Sequence, residues 1–291
     1  MKSSVAEKAS SENLSSSWQA GLQLLLQRQT NRTVLKMVEH FGPLRIQRPF
    51  YPEGETCHLY LLHPPGGMVA GDNLAITANL QKGAQALITT PAAGKLYRVA
   101  EHALPQYQGV EAQVAEEAVL EWLPQETIIF NGAKGELNNC FYLQGDAKLI
   151  GWDIVCLGRK ARGERFSYGS LKQRIEIYRD AKPLFIDRVH FEGDAEMLSA
   201  PWGMNKAVAS GTMFVSLYDQ EAPLDDLRAL LNEGPWPLET RWSVSCRGEI
   251  LLIRYLGDSA EICRRGFEKC WQLLRPQLIA REVHRPRIWN T

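Results

Sequence analysis

The chain has no surplus of either charge. Its 291 residues carry 33 Lys and Arg against 33 Asp and Glu, a formal net charge of zero. General binding to nucleic acid or to an anionic membrane surface needs excess positive charge, so both classes are excluded. No apolar run approaches the roughly 20 residues of a membrane-spanning helix. Six cysteines are present, Cys57, Cys140, Cys156, Cys246, Cys263 and Cys270, but none forms a C-x-x-C pair. Cys263 and Cys270 lie seven apart in a helical pattern, about 10.5 Å along the axis, beyond the reach of a disulfide. Scattered thiols of this kind read as reduced and place the protein in the cytoplasm. The segment Met1 to Ser17 is rich in Ser and charge and lacks the apolar core of a secretory signal, so it reads as a mobile, solvated tail.

Chemical signatures are absent as well. There is no G-x-S-x-G and no convincing acid–base pair. The turn Gly66-Gly67-Met68-Val69-Ala70-Gly71 has the wrong spacing for a dinucleotide fingerprint, and no helix pattern follows it. Pro91-Ala92-Ala93-Gly94-Lys95-Leu96 lacks the first glycine and the hydroxyl of a phosphate-binding loop.

What is present is a β pattern. Hydrophobic residues make up 45% and charged residues 23%, as in a soluble globular chain. From Trp18 to about Gln173 the period is two: Leu74, Ile76, Ala78 and Leu80 alternate with Asn73, Ala75, Thr77 and Asn79, and Ile175 and Ile177 alternate with Arg174 and Glu176. Turn signals recur at Phe41-Gly42-Pro43, Pro52-Glu53-Gly54, Pro64-Pro65-Gly66-Gly67, Lys82-Gly83, Asn131-Gly132 and Gly145-Asp146. Many short strands at such spacing predict a mainly β scaffold, sandwich or β-helical in kind. No sequence repeat supports a regular solenoid. The last third changes character. It predicts strands over 212–218, 242–246 and 249–255, a short helix over 223–231 and a longer one over 258–274. Asp258 and Glu261 form an acidic capping box for the longer helix, and Pro276 ends or kinks it. The organisation is thus a tail over 1–17, a β scaffold over 18–210 and a small α+β layer over 211–291 packed on it.

Carboxylates inside or beside apolar strands are the main candidates for function. Asp153 lies within Leu149–Leu157 and Asp187 within Pro183–Val189; Glu55 precedes a strand and Asp72 ends the Gly-rich turn. Such groups need an ion pair, hydration or a bound cation. Cys57, His58 and His63 are of the type that holds zinc, copper or nickel, but two ligands on one strand are too few for a site.

The segment His63-Pro64-Pro65-Gly66-Gly67-Met68-Val69-Ala70-Gly71-Asp72 resembles the signature of the urease accessory proteins called UreD, or UreH in some organisms. Arg48–Glu53, Thr89–Arg98, Leu120–Thr127, Leu157–Glu164 and the closing Pro286-Arg287-Ile288-Trp289 agree in register, so the resemblance covers residues 18 to 291. Gly94 stands where family members often carry a small hydroxyl residue.

The resemblance implies a non-enzymatic, mainly β maturation factor. It would bind the helical partner UreF and, through UreF, the GTPase UreG, and dock on apo-urease to help load nickel. No cofactor would be tightly bound; Ni²⁺ would be in transit. Glu55, Asp72, Asp153 and Asp187 stand at acidic positions that the resemblance connects with an internal passage. His63, Gly66, Gly67, Gly71, Lys95, Tyr97 and Arg98 form the motif loops. Spaced carboxylates and water release a cation more readily than a closed His/Cys cage. For partner contact the expected segment is Glu282 to Trp289, with Arg285, Arg287 and Trp289 as anchors, together with exposed parts of the Gly-rich turn. Two other readings remain: a scaffold without metal transit, and a metal-dependent enzyme using Cys57, His58 and His63.

Overall fold

A computed structural model describes residues 17–290. Most of the expected N-terminal tail, residues 1–16, lies outside the described residues. The fold is mainly β, as the alternation predicts, with two large sheets face to face.

The first sheet has seven strands. These are β1 (Gln19–Arg28), β2 (Thr33–Phe41), β5 (Asn73–Leu80), β8 (Gln106–Val114), β11 (Lys134–Leu143), β13 (Ser170–Arg179) and β14 (Lys182–Glu192), in the order β14-β13-β11-β8-β5-β1-β2. The second contains β3 (Arg45–Ile46), β4 (Cys57–Leu62), β6 (Gln85–Thr89), β9 (Val119–Trp122), β12 (Lys148–Leu157), β15 (Ala209–Ser216), β16 (Arg241–Arg247) and β17 (Ile250–Gly257), in the order β16-β17-β15-β12-β9-β6-β4-β3. Short strands β7 (Gly94–Leu96) and β10 (Thr127–Ile129) pair with each other, and β10 also pairs with β12.

From β4 to β13 the long strands fall alternately in the second and the first sheet, and neighbours within each sheet run parallel. The chain therefore winds as a coil, although its sequence has no repeat. The coil requires only that inward positions be apolar and strand lengths match, and the period-two pattern meets both conditions. Inward residues such as Leu74, Leu137, Phe141, Leu149 and Ile177 fill the space between the sheets.

A second core lies on the other face of the second sheet. Ile150, Trp152 and Ile154 of β12 and Leu251 and Ile253 of β17 meet Phe267, Trp271 and Leu274 of a C-terminal helix. β12 is buried on both faces, which is why Leu149–Leu157 reads as a continuous apolar run. Strands β15 to β17 extend this second sheet, β15 hydrogen-bonding β12 along residues 209–215.

The two longer helices are α2 (Leu224–Asn232) and α3 (Ala260–Ile279), and a single turn, α1, spans Glu196–Ser199. Two details differ from the sequence reading. Ser259, not Asp258, caps α3, its Oγ accepting from Ile262 N–H at 3.3 Å. Pro276 does not end α3, which runs one turn further to Ile279. Arg275 and Leu278 on that last turn are both buried, and their packing outweighs the hydrogen bond that Pro276 cannot make. Among the described residues no helix is long and apolar enough to cross a membrane. The six cysteines are unpaired thiols.

Candidate functional site

The Gly-rich loop joins β4 to β5 and is held from inside. Asp72 is 1% exposed. Its carboxylate accepts from Trp18 N–H at 2.7 Å and from Val69 N–H at 2.8 Å, so both oxygens tie down backbone. Gly67 is demanded by contact: a Cβ there would stand 2.5 Å from the Tyr97 ring. Met68 N–H donates to Lys95 C=O and Tyr97 N–H to Met68 C=O, which joins this loop to the Thr89–Arg98 segment. The buried amide of Gln106 donates to the carbonyls of Met68 and Tyr97, at 2.9 and 2.7 Å, and accepts from Lys134 N–H. Tyr97 in turn stands edge-on to Phe130, and the exposed Arg98 covers Tyr168. Gly66 and Gly71 both take positive φ, +77°, where glycine is the unstrained choice. Pro64, Pro65 and Gly66 face solvent, and Val69, Leu104 and Trp18 leave apolar surface at this end of the first sheet.

Behind the two joined loops lies a cavity of about 180 Å³ between the sheets. His63, Gly66 and Lys95 line one part of it, and Gln108, Asn139 and Asp153 supply further polar wall. Burial holds the His63 imidazole below its ordinary pKa, with the Asp72 charge pulling the other way. Its Nε2 is buried and has no hydrogen-bond partner.

Asp153 projects from β12 into the space between the sheets. Burial pushes its carboxyl above the usual carboxylate range, opposed by hydrogen bonds from Gln173, Ile154 N–H and Asn139. Asn139 Nδ2 donates to it at 2.8 Å. Asn139 and Gln173 occupy inward positions of β11 and β13, where neighbours Leu137, Phe141, Leu171 and Ile175 are apolar.

A second cavity, of about 370 Å³, lies toward the β14 and β16 edges. Gln173 lines it while bonding Asp153, so one side chain belongs to both environments. Directly paired residues of an antiparallel sheet share a face. Asp153, Thr212, Arg254 and Ser243 are therefore one row across β12, β15, β17 and β16. Asp187 of β14 faces the outer part of this row and accepts from Arg254 Nη2 at 2.8 Å. A polar line thus runs from the interior at Asp153 to the open edge at Asp187.

The structure does not place all four candidate carboxylates on this line. Asp153 and Asp187 lie on it. Asp72 is engaged within its loop, and Glu55 is a partly exposed acceptor for Arg28 at the end of β1 and for Arg281 beyond α3. The C-terminal anchors also separate. Trp289 is buried in the second core, 5.7 Å from the Trp152 ring and 5.8 Å from Trp271, and its Nε1 donates to Thr89 Oγ1 at 2.8 Å. Its ring holds the chain's end to its own sheet and is not free to enter a partner. Arg285 bonds Glu268 and Asn290; Arg287 is exposed.

Cys57, His58 and His63 do not converge. Cys57 faces the inter-sheet core, where burial raises its thiol to about 11. His58 is fully buried and contacts Glu53 at 2.6 Å through Nε2. Among the described residues no group of three or more His, Cys, Asp or Glu is placed to hold a metal ion.

Sequence reasoning missed a buried charge network. Arg275 of α3 is fully buried and donates to Glu121 of β9, to Glu53 at 2.8 Å and to the Glu282 carbonyl. Trp271 Nε1 adds a 2.7 Å bond to Glu121. Burial opposes ionisation of Glu53, but hydrogen bonds from His58 and Arg275 outweigh it and hold the carboxyl below its ordinary value. Glu53 and Glu121 both lie in the motif stretches; the signal of Glu121 was an acid in an otherwise apolar strand, while Glu53 sits in the Pro52-Glu53-Gly54 turn and carried no such sign. The network clamps α3 to β9, whose next residue, Trp122, lines the inner cavity.

Comparison with known proteins gives a concordant result. The family model for the UreD urease accessory protein matches residues 19–290. The urease accessory protein UreD of Saccharophagus degradans is 46% identical over 275 residues, covering 94% of this chain and 93% of the relative. That of Citrobacter koseri is 41% identical over 298 residues, covering 100% and 98%. That of Klebsiella aerogenes is 42% identical over 281 residues, covering 96% and 98%.

Proposed function

The chain belongs to the UreD urease accessory protein family, and from that premise we propose that it is a non-catalytic scaffold that passes nickel toward apo-urease through its interior. In this reading it works in the cytoplasm with UreF and, through UreF, with the GTPase UreG. Nickel is the cargo and not a resident cofactor.

The observation that carries the reading is Asp153. A carboxylate held between two sheets costs stability, and its neighbours Asn139 and Gln173 are polar where an apolar residue would pack better. A purely structural core has no use for that row. A transit path does: one carboxylate with amide neighbours binds a hydrated divalent ion weakly and lets it leave. The cavity reached from the motif loops and the polar line to Asp187 support a route of this kind. The exposed turn at Pro64–Gly66, with Val69, Leu104 and Trp18 beside it, supports protein docking at the loop end.

A scaffold without cation transit draws support from Asp72 and Glu55, whose bonds are structural. Replacing Asp153 by Asn separates the two. The substitution replaces a fully buried acid, whose ionisation burial opposes, by a neutral amide of the same shape, so thermal stability at pH 7 is expected to hold or rise. Assembly with UreF and UreG should be unchanged, while the nickel content of urease activated by the variant falls several-fold. Full nickel loading with Asp153→Asn would overturn the passage.

A further inference from the structure

We propose that Arg254 is a charge gate over the outer end of the passage, keeping Asp187 from taking a divalent cation until its guanidinium is drawn away. The inference rests on the passage proposed above and adds the control of its outer end.

Arg254 belongs to the same row as Asp153 and Thr212, so it sits on the polar line and not beside it. Its Nη2 donates to Asp187 Oδ2 at 2.8 Å, and both residues line the outer cavity. A guanidinium is a poor neighbour for a Ni²⁺ ion. It occupies the carboxylate and repels the ion at close range.

The same pair is easily opened. The Arg254 side chain is 48% exposed and that of Asp187 21%, so solvent screens the attraction. Contrast Arg275, which is fully buried between Glu53 and Glu121 and serves as a fixed clamp. Arg254 lies near the β14 and β16 edges, where each sheet ends. An acidic side chain presented by a docking protein at that edge can compete for the guanidinium and release Asp187. The other cationic side chain lining this cavity is Arg241, which is exposed and has Asn205 within hydrogen-bond distance. Arg241 is thereby held apart from Asp187, and the gate falls to Arg254.

The test uses the full chain and Ni²⁺ alone in equilibrium dialysis. Arg254→Gln should create one Ni²⁺ site at least tenfold tighter than any involving Asp187 in the parent protein. Adding Asp187→Asn to that variant should abolish the gain. Arg254→Lys, which keeps the charge, should behave as the parent. No gain with Arg254→Gln, or a gain that survives Asp187→Asn, would overturn the gate. The gate and the passage fail separately: full nickel loading of urease by the Asp153→Asn variant removes the passage, whereas the dialysis result judges Arg254 by itself.

Discussion

Replacing Arg275 by Met should be among the most damaging single changes in the molecule. Arg275 has no exposed surface and pairs with Glu121 and Glu53, whose side chains are 1% and 4% exposed. Met preserves much of the aliphatic stem but strands two carboxylates in the core. Removing one partner from a buried ion network costs about 3–5 kcal/mol, set against a total stability of about 5–15 kcal/mol for a typical chain. With a urea slope of about 3 kcal/mol per molar, the unfolding midpoint should fall by about 1–2 M. Equilibrium unfolding at pH 7 can be followed by the fluorescence of Trp271, whose ring lies 5.5 Å from the Arg275 guanidinium. A partial rescue is expected as well. If the loss comes from stranded charge, Glu53→Gln and Glu121→Gln added to Arg275→Met should recover part of it. The exposed neighbour Glu55, by contrast, should tolerate Gln with no measurable change in midpoint. A midpoint for Arg275→Met within about 0.3 M of the parent, under 1 kcal/mol at that slope, would refute the account of the network.

Two further outcomes are expected. Glu176 is held down to about 2 by hydrogen bonds from Arg174, Arg188 and Tyr178, against burial; the native state thus binds fewer protons than the unfolded chain between about 2 and 4.5. Its contribution is complete above 4.5 and is lost as the pH falls toward about 2, so the stability difference between parent and Glu176→Gln should vanish over that window in acid titration. Trp289→Ala should cost about 3–5 kcal/mol through the emptied space in the second core, lowering the melting temperature, whereas the exposed Arg287 should accept Ala without effect on melting. Arg287 is therefore the cleaner probe of partner contact in a UreF pull-down, because deleting the chain's end also removes Trp289 from its core.

Much of the fold was legible in the residue order. The period-two alternation in β5 and β13 assigned strands, because each strand has one face on a core. The stripe Cys263, Phe267, Cys270, Trp271 and Leu274 marked α3, and those residues do line the second core. The alternation left a sandwich and a β-helical coil as equal outcomes, and the choice between them was not legible. Pairing between β5 and β8, or between β11 and β13, is backbone hydrogen bonding between distant segments, and it leaves no recurrent side-chain motif. The run through Pro276 was not legible either, since local propensity argued for a stop and the burial of Leu278 overrode it.

The site divides in the same way. Composition, the motif loops and the acids in apolar strands were determined by the sequence alone: zero net charge, no nucleotide loop, and Asp153 and Asp187 as groups in need of an explanation. The sequence also held an unused sign, the amides Asn139 and Gln173 at inward positions between apolar neighbours. Only the tertiary structure decided which acids share a path. A carboxylate's role depends on what stands within about 3 Å of it, and for Asp153, Asp187, Asp72 and Glu55 those partners are Asn139, Arg254, the Val69 and Trp18 amides, and Arg281. Most of these come from segments far away in the chain. Trp289 makes the same point from the opposite side, an apparent partner anchor whose ring the second core had already claimed.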